Sequence, residues 1–271
     1  MGQTGTTVDG MKRWLCNTLI LFGLAFWPAL AEARDIKVAA PILSGHFDSD
    51  GKGRSRAALD AIFNECGMTP DYVLHRWGQH WLAYEDDESF DAVAIVWDSA
   101  DLTGHRTEAF IHQANGVAFR ADRQLRIRTT EDLAGLRVLG FGGATRMFPS
   151  LARVMPTMKS YWEAPSGFAT TQALVNGDVD VFLTDGLIFA IDYMDRTRNT
   201  GARYGDTHWP AMSFVRLFPT IGDRMMFRDQ AKATRFNGCI IAAREKGTIA
   251  LATAPYVRPY KDIVGDQIPA D

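Results

Sequence analysis

The sequence predicts an α/β protein in which parallel strands are covered by helices, and three observations carry that prediction. Strand-like and helix-like segments alternate through most of the chain after about residue 35, the pattern of strands joined by covering helices. Ala92 to Trp97 is an uninterrupted apolar run, as a strand buried on both faces requires. No internal repeat, low-complexity tract or long linker breaks the alternation.

Taken in order, Ile36 to Ala40 reads as the first strand, and Arg54 to Glu65 as a helix stopped by Gly67. Tyr72 to His75 is a short strand, followed by the Ala92–Trp97 run. Thr129 or Thr130 opens a helical turn whose acids, Glu131 and Asp132, suit the positive end of the helix dipole. Leu136 to Phe141 is a second buried strand ending in Gly142-Gly143. Thr170 to Val175 is helical, Asn176-Gly177 a turn, and Val179 to Thr184 a strand. Ile188 to Met194 is helical and Met225 to Phe227 a short strand. Arg235 to Lys246 and Ile249 to Ala252 complete the chain as helix.

Composition narrows the function classes. A chain of 271 residues, 46% hydrophobic, with a formal net charge of −3, suits one large domain or two lobes with separate cores. The near-neutral balance argues against nucleic acid as a partner. The short basic stretch Arg120, Arg123, Arg126 and Arg128 has no aromatic or glycine-rich platform and reads as a solvated face. No phosphate-cradling Gly-rich loop ending in Gly-Lys-Ser/Thr, nucleophile elbow or Cys/His arrangement stands out, and no cofactor or metal is expected. His75 and His80, five apart, are poorly spaced for one helical face.

At the start of the chain, Lys12 and Arg13 precede an apolar run from Trp14 to Phe26, then Pro28 and the small-residue patterns Ala29-Leu30-Ala31 and Ala31-Glu32-Ala33. This is the composition of a secretory signal peptide, assigned to residues 1–33, with Met11 the expected initiator. The run is shorter than a membrane span of roughly 20 residues, and an uncleaved anchor is the competing reading. Cys16 lacks the flanking residues of a lipoprotein signal. Its removal leaves Cys66 and Cys239, which are able to pair in an oxidising compartment, although nothing in the sequence shows that they meet.

Several segments then resemble one family in series. Asp48-Ser49-Asp50-Gly51-Lys52-Gly53 followed by Leu59-Asp60-Ala61-Ile62, Thr103-Gly104-His105-Arg106, Ile127 to Val138, Gln172 to Val181, and the closing Arg235-Phe236-Asn237 and Gly247-Thr248-Ile249 are similar to type 2 periplasmic solute-binding proteins of the polar amino-acid family. The resemblance implies two lobes, each a mainly parallel sheet covered by helices, with a hinged cleft between them. It places residues 34–117 plus 224–271 in the first lobe and 118–223 in the second.

The resemblance also implies a site. Arg106 inherits the pairing with a ligand carboxylate, suited to a planar guanidinium, with Thr103 beside it. Gly143, Ala144 and Thr145 form the family's glycine-threonine loop, where main-chain N–H groups approach an anion. Asp185 stands where the family places an acid for an α-amino group; a helix N-cap is its competing role. Relative to the family, about three residues are inserted between Asp91 and Arg106, around Trp97, Ser99 and Asp101, and Gly104-His105 replaces the usual proline-acid pair. The aromatic near the first loop is His46 or Phe47. Trp77 and Trp97 are candidates for an apolar wall or for core, and Glu163 and Ser166 for weaker ligand contacts.

The expected protein is therefore a periplasmic, monomeric, non-enzymatic receptor for a small amino acid or similar ligand, working with an ABC permease in the inner membrane. The same fold also serves a periplasmic dehydratase of cyclohexadienyl acids, for which Glu163 or Asp101 would supply the acid, and sensing through a membrane partner is a third possibility.

Overall fold

The computed structural model describes residues 35–164, 170–198, 209–269 and 271; the leader and Ser166 lie outside them. In chain order the strands and helices are β1 (Ile36–Ile42), α1 (Arg54–Cys66), β2 (Pro70–Arg76), α2 (Gln79–Asp86), β3 (Ala92–Val96), β4 (His105–Arg106), β5 (Ile111–Gln113) and β6 (Asn115–Arg120). There follow β7 (Arg137–Phe141), α3 (Ala144–Met147), α4 (Pro149–Val154), β8 (Ser160–Ala164), α5 (Thr170–Asn176), β9 (Val181–Asp185) and α6 (Gly186–Arg198). The chain closes with β10 (Met212–Arg216), β11 (Ile221–Phe227), α7 (Gln230–Glu245), α8 (Thr248–Val257) and α9 (Lys261–Val264).

Two sheets result. The first has the order β2-β1-β3-β11-β4, with β5 also paired to β11, and the second β10-β6-β9-β7-β8. Parallel pairing joins β1 to β2 and β3, and β7 to β8 and β9. The antiparallel strands β6, β10 and β11 are those next to the crossings between the sheets.

Burial follows the strand period. In β1, Val38 and Ala40 enter one core with Leu59, Ile62 and Phe63 of α1 and Phe236 and Ile240 of α7, while Ala39 faces the opposite core with Tyr84 of α2. The second sheet is covered on one face by α3 and α4 and on the other by α5, α6 and α9. The stretch after Val257, grouped by sequence with the first lobe, packs on the second: Val264 and Ile268 lie in one core with Leu187, Phe189 and Phe214. Cys66 and Cys239 are joined in a disulfide with their Cα atoms 5.5 Å apart, tying the end of α1 to α7. Among the described residues no helix is long and apolar enough to cross a membrane.

The chain crosses between sheets at Ala114, between β5 and β6, and again through the segment joining β10 to β11. Polar groups are buried around these crossings. Gln113 Nε2 donates to both Asp223 oxygens at 2.9 Å, and Arg54 Nη2 donates to Asp271 Oδ2 at 2.5 Å. Burial pushes the Asp223 carboxyl up to about 6, against the opposing pull of His46, Gln113 and Arg54.

Candidate functional site

Parallel strands in α/β sheets present ligand sites beyond their carboxyl ends. Here those ends, from β1 and β3 in the first lobe and β7 and β9 in the second, are brought together at three points. His46, after β1, lies 3.4 Å from Asp185 at the end of β9 (Nε2 to Oδ1). Gly45 has φ +74°, and a side-chain carbon there would lie 2.1 Å from Cδ1 of Ile191 on α6. Trp97 follows β3, and its Cζ3 would lie 3.9 Å from a side-chain carbon placed on Gly143 after β7.

Trp97 owes its position to an irregularity in β3. Ile95 has φ 57°, a left-handed conformation that is strained for a β-branched residue. Ala94 pairs with Met225 and Val96 with Arg224, leaving Ile95 as the extra residue of a β-bulge. Trp81 donates its indole N–H to the Ile95 carbonyl at 3.2 Å. Trp97 then packs against Trp77 and Trp81, with ring centroids 5.2 and 5.0 Å apart. Its own indole N–H is buried without a hydrogen-bond partner. His80 packs on Trp77 and Trp81, and burial drives its imidazole down to about 3, so it is neutral.

Across from Trp97, the Gly142–Thr145 turn forms the anion-binding geometry that the sequence suggested, but the anion is the protein's own. Glu163 of β8 accepts from Gly143 N–H at 2.7 Å, Thr145 N–H at 2.9 Å, Thr145 Oγ at 2.8 Å and the Tyr161 hydroxyl at 2.8 Å. Burial raises the Glu163 carboxyl, yet these donors together hold it below the usual glutamate range. Glu163 and Thr145 are thus engaged with each other. Ala144 is buried in the second-lobe core. Gly143 has φ +89°, which lets the turn aim the N–H groups of Gly143 and Thr145 at one carboxylate.

Asp185 is also spent within the protein. Oδ1 accepts from Leu187 N–H at 2.8 Å, Ile188 N–H at 3.2 Å and His46 Nε2, and Oδ2 accepts from Ala114 N–H at 3.1 Å. Oδ1 thus carries three donors and Oδ2 one, on a carboxylate that is almost fully buried. Burial pushes its carboxyl up, but His46, Arg54 and the Ile188 N–H outweigh that and keep it low. The competing role, helix N-cap, is the one that the geometry displays, combined with a tie between lobes. Bonded in this way, the buried Asp185 serves the protein's own main chain and His46.

Arg106 lies on β4 and is exposed; Nη1 donates to the Asp98 carbonyl at 3.2 Å and Nη2 to the Ala100 carbonyl at 2.7 Å. It braces the loop that follows Trp97 and keeps further N–H groups unengaged. Ser99 and Asp101 sit exposed on that loop. Thr103 turns to α2, its hydroxyl donating to Glu85 at 3.2 Å. Phe47 is fully buried, edge-on to Tyr72 in the first-lobe core, so it is no cleft wall; of the two residues left open by sequence, His46 is the one at the lobe junction. Trp77 is half-buried in the tryptophan cluster.

Sequence reasoning offered His46 only as an alternative to Phe47 and missed its hydrogen-bonded partner Ser55, 2.8 Å from Nδ1. Ser55, His46 and Asp185 form a serine-histidine-acid chain, but Ser55 and His46 are fully buried and the chain is structural. It also missed Trp81 and Arg146; only proximity in the fold could have revealed them.

No family model matches the chain, and no curated protein matches it. Solved structures do. The ligand-binding core of GluR0 in complex with L-glutamate aligns with a TM-score of 0.64 at 14% identity, covering 83% of this chain and 99% of that one. An ancestral arginine-binding protein bound to glutamine aligns at 0.62 and 16% identity, covering 82% and 97%. The ancestral amino-acid-binding protein AncCDT-1, a precursor of cyclohexadienyl dehydratase, aligns at 0.62 and 15% identity, covering 82% and 94%. At such identities the likeness is one of fold. The chain has the two-lobed fold of type 2 periplasmic amino-acid-binding proteins.

Proposed function

We propose that this chain is a periplasmic solute-binding protein of the polar amino-acid family, capturing a small carboxylate-bearing metabolite between its lobes and delivering it to an ABC importer as a monomer. The observation that carries the reading is the convergence of Trp97 from the first lobe and Gly143 from the second beyond the ends of their strands, in a fold whose neighbours were solved with amino acids bound. Trp97 and Trp77 form the apolar wall, and the unengaged N–H groups of Arg106 are the first-lobe contact for a carboxylate. Closure is driven by a ligand that touches both lobes and so binds the closed state better. The Cys66–Cys239 disulfide supports an oxidising compartment.

A thermal-shift screen of the purified protein against amino acids, their deaminated analogues and amines tests this reading. A shift with one chemical class, lost in Arg106→Ala, is expected; a cooperative melt that responds to no compound contradicts it.

The dehydratase reading draws on the AncCDT-1 likeness. A general acid works best with a carboxyl raised toward neutral pH, whereas Glu163 is held low by four donors. Binding without chemistry is therefore the reading favoured. Incubation with prephenate or arogenate followed by assay for aromatic product separates the two.

A further inference from the structure

The two acids nearest the strand ends of the second lobe are consumed internally, Glu163 by the Gly143–Thr145 turn and Asp185 by the α6 N-terminus and His46. One charged group beside them is not. Arg146 is exposed on α3; its main-chain N–H donates to the Gly143 carbonyl at 3.1 Å, but its guanidinium makes no hydrogen bond or ion pair among the described residues. Its Nη2 and Nε would lie 3.4 and 3.9 Å from a side-chain carbon on Gly143, the same point that Trp97 Cζ3 approaches to 3.9 Å from the other lobe. An unpaired guanidinium and the edge of a tryptophan cluster thus meet over one glycine, which leaves the space a side chain would fill.

We infer that Arg146, and not the main-chain turn beneath it, is the second lobe's anion-holding group, and that the ligand is a carboxylate whose apolar or aromatic body lies against Trp97. The inference rests on the solute-binding reading above and specifies its ligand. Asp185 and Glu163 each already accept from four donors of the protein, and Asp185 is buried, so both acids are committed to internal bonds in place of an ammonium group. An α-amino group then contributes little to affinity, and the carboxylate with an apolar body contributes most. A guanidinium forms two parallel hydrogen bonds to a carboxylate, which sets direction as well as strength.

The test uses 3-phenylpropanoate, L-phenylalanine and phenethylamine as probes, read by tryptophan fluorescence on wild-type protein and Arg146→Gln. Arg146 has no partner to lose, so the variant should melt at the wild-type temperature. The expected result is comparable binding of the two carboxylates, none of the amine, and at least a tenfold loss of carboxylate affinity in Arg146→Gln. Binding of L-phenylalanine alone, or unchanged affinity in Arg146→Gln, overturns the inference while leaving the solute-binding reading intact. If no probe binds wild type, the inference fails for aromatic carboxylates; the separate screen of amino acids and amines then decides whether the broader reading fails with it.

Discussion

Glu163 and Gly143 are joined by a 2.7 Å hydrogen bond in which a β8 carboxylate takes the main-chain N–H of the turn after β7. The pair turns a segment that resembles an anion site into a filled one. The site's ligand chemistry then depends on what lies above that turn, Arg146 and Trp97, more than on the turn itself.

Vacating the turn should therefore create an anion site. Glu163→Ala is expected to lose roughly 1–3 kcal/mol, the cost of leaving buried donors unpaired, and to regain part of it in acetate, which offers the missing carboxylate. Melting curves with and without acetate check this. Because the Glu163 carboxyl is depressed, its contribution is complete above the ordinary glutamate value of 4.5 and is lost as pH falls through its lowered pKa, so the wild-type advantage should shrink in acid.

Asp223 behaves with the opposite sign. Burial raises its carboxyl from 3.8 to about 6, so between those values the folded state holds more protons than the unfolded one. This group's contribution to stability falls as pH rises through that window, at up to about 1.4 kcal/mol per pH unit. Asp223→Asn, which keeps an acceptor for Gln113, should flatten the fall in melting temperature between pH 4 and 6. An unchanged pH profile would show that Asp223 is not buried as a titrating group.

The disulfide closes a loop of 173 residues between Cys66 and Cys239. Reduction, or Cys239→Ser with Cys66→Ser, should cost about 2–5 kcal/mol, measured by urea unfolding with and without reductant. The folded protein should show no free thiol from these two residues before reduction.

The contact between Gly45 and Ile191 is a tie between lobes. Gly45→Ala meets both a left-handed backbone, worth about 1–2 kcal/mol, and the Ile191 methyl. Ile191→Ala in the same chain should relieve the second part only, so the double variant is more stable than the sum of the singles predicts.

Much of this architecture was legible in the sequence. Apolar runs announced β3 and β7, and Gly67, with φ 61°, stops α1 where expected. The antiparallel strands β6 and β10 were not seen because their segments, Asn-Gly-Val-Ala-Phe-Arg and Met-Ser-Phe-Val-Arg, carry too little alternation to announce themselves. The site was less legible. The family resemblance gave Gly143, Thr145 and Asp185 as anion and amine contacts, but whether a lone pair or N–H is free depends on what the fold places beside it. Glu163 and His46 come from other strands and loops, and no local spacing reveals that they bond the Gly143–Thr145 turn and Asp185. Ile95 is missed for a similar reason, since a bulge depends on the partner strand's register.

The most direct test of the central claim, a carboxylate held between the lobes against Trp97, is calorimetric titration of the folded protein with carboxylate ligands, repeated on Trp97→Phe as a packing-conserving control. The account predicts saturable one-to-one binding that weakens in Trp97→Phe and at least tenfold further when Arg146→Gln is added. The absence of binding heat with every carboxylate tried, in a protein that melts cooperatively, would contradict it.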